Sequence, residues 1–292
     1  MLRVDACPIC GSSELRPYAA SSFRDNQLHF AQVRCGRCGL LIAQPQASAE
    51  DMDRYYRKAY YEGRWSDEDV LYKYNALAHQ RATMPVLQRL CGDVLRAPSR
   101  ILEIGCGYGS LLGLLADAGH HAFGMDLSLK AASFCRRNGL PVAVGRFPQV
   151  PFEAGNFDLV IARHVIEHLP DPRALVRAML DLARPAGAIA IETENAHIAQ
   201  YTWDRARAFV CMRIPPFRSS TDHTFVFGPE HLRSLMNEAG CEHVAAASFT
   251  EMPEHESIHW RAYKGFFRTI DRLAGGGELV LAVGRRPRAT IH

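Results

Sequence analysis

The segment ILEIGCGYGS at residues 101–110 decides the fold. It predicts a short buried strand at 101–104 that runs directly into a Gly-x-Gly-x-Gly turn and then into a helix. Glycine adopts positive φ and lets the backbone approach a ligand closely, and the helix N-terminus offers unpaired N–H groups. The segment therefore predicts a strand–turn–helix unit that binds a small ligand at its turn.

The spacing of the glycines separates this turn from a dinucleotide-binding fingerprint. That fingerprint requires Gly-x-Gly-x-x-Gly, whereas the third glycine, Gly109, comes one residue early here. Glu103 precedes the turn, and its carboxylate suits a ligand with an ammonium group rather than a pyrophosphate. Asp126 ends the next predicted strand, where it either accepts both hydroxyls of a ribose or caps the following helix.

Strands and helices alternate on both sides of this segment. We predict strands at 122–125, 141–144, 157–162, 188–193, 243–247 and 278–284, with helices at 111–118, 128–138, 173–183 and 229–239. This alternation indicates a mostly parallel, doubly wound α/β sheet. Two longer connections, 194–227 and 249–277, are rich in aromatic residues. We expect them to be lid insertions that form a satellite core or line a substrate pocket.

Four of the nine cysteines form two Cys-x2-Cys pairs near the N-terminus: Cys7 with Cys10, and Cys35 with Cys38. Each pair is followed by a glycine, which is typical of knuckle turns whose backbone N–H groups point at thiolates. The pairs predict one tetrahedral, structural zinc site, and the residues between them have the length of a hairpin.

These patterns divide the chain into three parts. We predict a zinc-binding module at 1–45, a helical segment at 46–95 that is interrupted at Pro85 and covers the ligand site, and a catalytic domain at 96–292. The segment 46–95 begins with a tyrosine-rich helix.

Composition narrows the classes of partner. The 34 basic and 31 acidic side chains are too evenly balanced for a nucleic-acid-binding surface. No run approaches the ~18 apolar residues of a membrane helix. The N-terminus lacks a signal peptide, and an odd number of cysteines argues against a disulfide framework. We therefore expect a cytoplasmic protein that acts on a small molecule; composition leaves its oligomeric state open.

An ordered series of motifs resembles the class I S-adenosylmethionine (SAM)-dependent methyltransferases. The series is E-x-G-C-G-x-G from Glu103, G-x-D-x-S around Asp126, and F-D-L-V followed by E-H-L-x-D-P from Phe157 onward. The resemblance implies a Rossmann-like sheet of seven strands in the order 3-2-1-4-5-7-6, with the seventh strand antiparallel. The paired knuckles and the tyrosine-rich helix resemble the start of bacterial sugar and natural-product methyltransferases.

The resemblance also implies SAM as the cofactor and a set of residues that hold it. Glu103 and the glycine turn would hold the methionine part, while Asp126 and Leu127 would hold the ribose and adenine. Relatives often carry Asp and Ala where Arg146 and Phe147 stand, so Phe147 is expected to stack on the adenine instead. The full set is Glu103, Gly105, Cys106, Gly107, Tyr108, Gly109, Asp126, Leu127, Phe147 and Arg163.

The residues RHVIEHLPDP at 163–172 follow the fourth predicted strand of the sheet. Their H-x-x-E-H pattern also occurs in metalloproteases, but the prolines exclude the long helix which that site needs. Ubiquinone-pathway O-methyltransferases resemble this segment and use it to hold a divalent ion. Their first acidic ligand is His164 here, which disfavours magnesium because hard cations prefer oxygen.

Three histidines are candidates for a general base. His168 is the first choice because the adjacent Glu167 could orient its ring, and His164 and His223 are the others. The alternative role of His168 is to shape a turn, and that of His223 is to anchor the first lid.

The sequence thus predicts transfer of the SAM methyl group to a hydroxyl of a small molecule, such as a sugar or natural-product intermediate. A zinc-containing RNA-base methyltransferase and a non-catalytic SAM-binding protein remain alternatives.

Overall fold

The computed structural model describes residues 3–21, 30–46, 48, 50, 77–96, 98–197, 223–250, 269 and 276–288. The tyrosine-rich helix and most of the predicted lids at 194–227 and 249–277 lie outside the described residues. Within the described part, no helix is long and apolar enough to cross a membrane.

The strands and helices are numbered here in chain order. The strands are β1 (Leu15–Ser21), β2 (Phe30–Cys35), β3 (Leu41–Gln44), β4 (Arg100–Ile104), β5 (His121–Asp126), β6 (Val142–Val144), β7 (Phe157–Arg163), β8 (Ala183–Glu194), β9 (Phe225–Val226), β10 (Glu242–Phe249) and β11 (Leu279–Arg285). The α-helices are α1 (Leu77–Cys91), α2 (Ser110–Asp117), α3 (Leu129–Arg137), α4 (Pro172–Leu182) and α5 (Pro229–Glu238). A short 3₁₀ helix spans Ile166–His168.

The larger sheet has the predicted topology. Its spatial order is β6-β5-β4-β7-β8-β11-β10, which is the order 3-2-1-4-5-7-6 when its strands are counted along the chain. Strands β4 to β8 run parallel, and β11 is antiparallel to both β8 and β10. The carboxyl ends of β4, β5 and β7 therefore lie at one edge, where ligands of such sheets bind.

This sheet is buried on both faces, as expected for parallel strands covered by helices. Leu102 and Val160 lie in a core with residues of α4 and α5, whereas Ile101 and Leu159 lie in a core with residues of α1 and α2. Alternate residues of β4 and β7 thus face opposite helical layers, which holds the strand ends rigidly.

The N-terminal residues form a second sheet in the order β1-β2-β3-β9. Strands β1 and β2 form the antiparallel hairpin that was expected between the cysteine pairs. The fourth strand, β9, lies at the end of the first predicted lid and was not expected. The division at residues 45 and 95 stays a prediction, but the N-terminal sheet is completed by the C-terminal part of the chain.

One prediction made from a proline and one predicted strand boundary were wrong. Helix α1 continues through Pro85, because Leu87 and Cys91, which follow it, are completely buried against the core. Strand β8 begins at Ala183 rather than near residue 188, so Pro185 lies inside it. Pairing of Ala183 with Phe157 starts the strand early, which shows that tertiary pairing outweighs the local turn signal.

Candidate functional site

The glycine turn lies at the carboxyl end of β4. Gly105, Gly107 and Gly109 all have positive φ, at 70°, 53° and 85°. The N–H groups of Gly105 and Cys106 donate to the carbonyl of Met125, at 2.7 and 3.1 Å. A Cβ atom on Gly105 would lie 2.4 Å from a methyl group of Val165. The turn therefore requires glycine for both its conformation and its close packing.

Asp126 lies beside this turn and is only 5% exposed. Its Oδ2 accepts the N–H of Gly107, and its Oδ1 accepts the N–H of Ser128, both at 2.8 Å. Ser128 is the N-cap of α3, with its side chain accepting the N–H of Ala131. The capping role considered for Asp126 thus belongs to Ser128. A carboxylate oxygen can accept more than one hydrogen bond, so Asp126 is chemically suited to accept ligand hydroxyls as well.

Glu103 is buried at the end of β4, where its Oε1 accepts from Nε of Arg163 at 3.1 Å. Its Oε2 is buried without a hydrogen-bond partner among the described residues. Burial raises the pKa of Glu103, while the nearby Arg163 opposes that rise. A buried carboxylate oxygen without a donor is costly, and an ammonium group of a ligand would satisfy it.

The sequence did not single out Glu192, which belongs to the same network. Its Oε2 accepts from the hydroxyl of Thr83 at 2.8 Å, and its Oε1 lies 3.8 Å from Nη1 of Arg163. Nε2 of His164 lies 3.8 Å from the same Oε1, so the network connects Glu103 through Arg163 and Glu192 to the histidine that follows β7. The sequence contains a signal that could have identified Glu192, because it is an acidic residue near the end of a predicted buried strand.

The remaining candidate cofactor residues surround the same turn. Tyr108 is buried, and its ring meets Phe134 edge-on at a centroid distance of 5.4 Å. Cys106 is buried against Gly124, on which a Cβ atom would lie 2.6 Å from the Cys106 sulfur. Leu127 directly follows Asp126, and Phe147 packs against the core after β6. Stacking of Phe147 on adenine stays a prediction.

The histidine segment begins where β7 ends. His164 has φ of 50°, a left-handed conformation that costs a non-glycine residue on the order of 1 kcal/mol. Its Nδ1 lies 3.1 Å from Oε1 of the buried Glu167. The sequence favoured His168 as the partner of Glu167. The hydrogen bond goes to His164 instead, because the 3₁₀ turn brings residues three apart together.

His168 and His223 meet next to this pair. Their ring centroids are 4.8 Å apart at an interplanar angle of 68°. Potential ligand atoms of Glu167, His168 and His223 all lie within 4.8 Å of one another. The structure thus gathers all three candidate histidines around one carboxylate, and we call His164, Glu167, His168 and His223 the histidine cluster.

Two carboxylates affect the charge of the histidine cluster: Glu194 beside it and Glu167 within it. Glu194, which the sequence did not single out, has Oε2 3.4 Å from Nδ1 of His223. Burial tends to raise the pKa of Glu167, but the hydrogen bond from His164 and the nearby histidines lower it to about 2. Glu167 therefore keeps its negative charge at neutral pH, and it stabilises a proton that arrives on a neighbouring imidazole.

The donor set of Glu167, His168 and His223 combines two imidazoles with one carboxylate. Such a set suits zinc-like transition metals better than magnesium, which prefers oxygen ligands. This chemistry agrees with the expectation that the histidine at position 164 disfavours magnesium.

The four N-terminal cysteines also converge. The sulfur of Cys7 lies 3.5 Å from that of Cys38, and the sulfur of Cys10 lies 3.5 Å from that of Cys35. Zn–S bonds of about 2.3 Å in a tetrahedron place sulfurs about 3.8 Å apart, so this spacing fits a zinc ion. Gly11 follows the first pair with φ of 70°.

Backbone N–H groups point at the thiol groups as knuckle turns require. Burial tends to raise the pKa of Cys35, but hydrogen bonds from the N–H groups of Cys38 and Arg37 lower it to about 7. Burial raises the pKa of Cys7, and the N–H groups of Cys10 and Ile9 oppose that rise. Burial and the neighbouring thiols raise the pKa of Cys38, so the N–H groups favour the thiolate, the form that binds zinc, most clearly at Cys35.

The sequence of this chain is similar to those of known methyltransferases. A family profile described as "Methyltransferase domain" matches residues 76–246. A ubiquinone biosynthesis O-methyltransferase of Methylococcus capsulatus is 31% identical over 237 residues, which cover 77% of this chain and 91% of that protein. A namesake from Bordetella avium is 31% identical over 163 residues, 53% of this chain and 66% of its own length.

Solved structures share the fold. A SAM-dependent methyltransferase of Thermotoga maritima, titled a possible histamine N-methyltransferase, has a TM-score of 0.52 at 18% identity and covers 80% of this chain and 98% of its own. Magnesium protoporphyrin IX methyltransferase of Synechocystis, with bound S-adenosylhomocysteine, has a TM-score of 0.53 at 14% identity. The match covers 82% of this chain and 100% of that protein.

Proposed function

We propose, because this chain belongs to the SAM-dependent methyltransferases, that it transfers the methyl group of SAM to a hydroxyl of a small molecule. The observation that carries the proposal is the histidine cluster at the carboxyl end of β7, beside the glycine turn. The names of the relatives, which are O-methyltransferases, support a hydroxyl as the acceptor.

The chain's own residues fit the cofactor. The buried Oε2 of Glu103 is suited to accept an ammonium group of the methionine part. Asp126 is suited to accept the ribose hydroxyls, and the absence of side chains in the glycine turn lets the cofactor lie close to the backbone. Bound SAM supplies an electrophilic methyl group on its sulfonium. The protein aligns the acceptor oxygen with that group, which contributes several kcal/mol through proximity.

The acceptor hydroxyl must also lose its proton. His164 has the geometry of an oriented base, because its Nδ1 lies 3.1 Å from Oε1 of Glu167 and its Nε2 lies 3.8 Å from Oε1 of Glu192, so two carboxylates hold the ring in place. We propose His164 in this role, with His168 and His223 beside it as the other candidates. The positive φ of His164 fits a side chain that is held in place for chemistry.

The two alternatives are less well supported. An RNA-base methyltransferase needs a basic surface, and the net charge of this chain is only +3. A non-catalytic SAM-binding protein has no need for a histidine cluster with a buried, charged carboxylate next to the crevice.

The proposal is tested by methyl transfer from SAM that carries a deuterated methyl group. We expect formation of S-adenosylhomocysteine with a panel of phenols, catechols and sugar hydroxyls, and a product whose label is on oxygen by mass spectrometry. Labelling of RNA but of no small molecule would establish the first alternative. SAM binding without turnover on either panel would establish the second.

We also propose that Cys7, Cys10, Cys35 and Cys38 hold a structural zinc ion. The support is the spacing of their sulfurs and the N–H groups directed at them. All four positions of the tetrahedron are filled by protein, which is typical of structural rather than catalytic zinc.

The purified protein is expected to contain about one zinc per chain, because four thiolates make a closed structural site. Cys35→Ser should lose the metal and expose residues 3–46 to protease, since metal binding supplies the folding energy of such modules. Cys241→Ala is the matched control, because this buried cysteine lies outside the cluster. Elemental analysis that finds no zinc in fresh, reduced protein would exclude the site.

A further inference from the structure

The segment that carries His223 is held by the N-terminal sheet. Strand β9 begins two residues after His223 and pairs with β3, with Ile42 opposite Phe225 and Leu41 opposite Val226. The N–H of Ala43 extends this pairing by donating to the carbonyl of Thr224 at 2.9 Å. The residue next to His223 is therefore attached to the four-cysteine module.

Thr224 is bound from the opposite side by the histidine cluster. Its N–H donates to the carbonyl of Glu167 at 2.7 Å. The backbone of one residue, Thr224, thus links the module, through Ala43, to the turn that carries Glu167 and His168. His223 is 8% exposed, and its ring lies against that of His168.

The second knuckle adds another link. His231, on the first turn of α5, is 1% exposed. Its Nε2 donates to the carbonyl of Cys38 at 2.9 Å, and its Nδ1 accepts the N–H of Gly228 at 2.8 Å. A neutral imidazole can donate from one nitrogen and accept at the other, as these two contacts require. The same knuckle leads into β3, whose Ile42 is fully buried.

We propose that the four-cysteine module is a positioning element of the active site: β3 and His231 hold the segment 223–228 so that His223 faces His168. This proposal rests on the proposed function, because the histidine cluster is taken as the site where the acceptor binds. Closing the second knuckle fixes the start of β3, and β3 in turn fixes Thr224 and the ring next to it.

Two substitutions test the links without removing a cysteine or a residue of the histidine cluster. Ala43→Pro removes the N–H that reaches Thr224, and His231→Phe removes both side-chain hydrogen bonds of His231. His231→Gln keeps a donor for the Cys38 carbonyl and serves as the conservative variant. Arg173→Ala is the matched control, because Arg173 donates to the carbonyls of Pro8 and Ile9 at the first knuckle and does not contact β9.

The measurements use the full-length, zinc-loaded protein. The first is the proton nuclear Overhauser effect between the rings of His168 and His223, and the second separates kcat from KM for SAM. We expect Ala43→Pro and His231→Phe to keep their zinc, to weaken the ring-to-ring signal and to lower kcat about tenfold, as a small misplacement of a reacting group does. KM for SAM should stay the same, and His231→Gln should restore much of kcat.

Unchanged ring signals in both Ala43→Pro and His231→Phe would overturn the proposal. An equal loss in Arg173→Ala would also overturn it, because the effect would then reflect general loosening of the module. If Ala43→Pro fails to fold, the comparison of His231→Phe with His231→Gln still tests the proposal. If His223→Ala turns over normally while Ala43→Pro weakens the ring signal, the positioning stands and the catalytic use of His223 fails.

Discussion

His164→Ala is expected to lower kcat by 10²- to 10⁴-fold and to leave the affinity for SAM unchanged, as loss of a general base does. The reason is the contact between His164 Nδ1 and Glu167 at 3.1 Å, which orients the ring. Steady-state kinetics with the methyl acceptor and calorimetry with SAM measure the two effects separately.

The same measurements on His168→Ala and His223→Ala rank the three histidines. His121→Ala is the control, because His121 is exposed at the amino end of β5, at the opposite edge of the sheet. A larger loss in His168→Ala than in His164→Ala would support the choice made from the sequence. Near-normal turnover in all three variants would mean that the enzyme works by positioning alone.

Asp126→Ala and Gly107→Val are expected to have the second large effect, on SAM binding. Two hydrogen bonds to a charged acceptor contribute about 1.5–3 kcal/mol each, so Asp126→Ala should weaken binding at least ~100-fold. Gly107 has φ of 53°, a conformation that valine strongly disfavours, and a side chain there would also obstruct the approach of the ligand to the backbone.

Gly113→Ala is the matched control for the glycine substitution. Gly113 lies inside α2 and has open space where a Cβ atom would be added. The Gly113→Ala variant should therefore bind SAM with the same affinity as the unaltered protein. Calorimetric titration gives all the dissociation constants. If Asp126→Ala and Gly107→Val both bind SAM with unchanged affinity, the cofactor has been assigned to the wrong crevice.

The sequence predicted the parts of the fold that depend on local signals. The glycine turn after β4 and the helix that begins after Asp126 follow from residues close together in the chain, although the cap of that helix is Ser128 rather than Asp126. The sheet order was implied by resemblance and is confirmed. Pro85 misled the prediction because tertiary packing of α1 outweighs the cost of one proline in a helix.

The sequence could not predict the pairings between distant residues. It identified His164, His168 and His223 as candidate bases but did not show that Glu167 forms a hydrogen bond with His164. That contact depends on the 3₁₀ turn. It also missed Glu192 and β9. Glu192 acts through Arg163 and Thr83, which come from separate elements, and β9 is a strand of only two residues.

The pairing of β3 with β9 has a consequence for synthesis of the protein. Strand β3 leaves the ribosome early, whereas β9 belongs to the last quarter of the chain. Until β9 emerges, the nascent chain carries β3 as an open strand edge that another chain can pair with. Contacts between such distant segments also slow folding. An isolated fragment of residues 1–45 keeps that open edge, so it should self-associate through β3, which β9 covers in the whole protein.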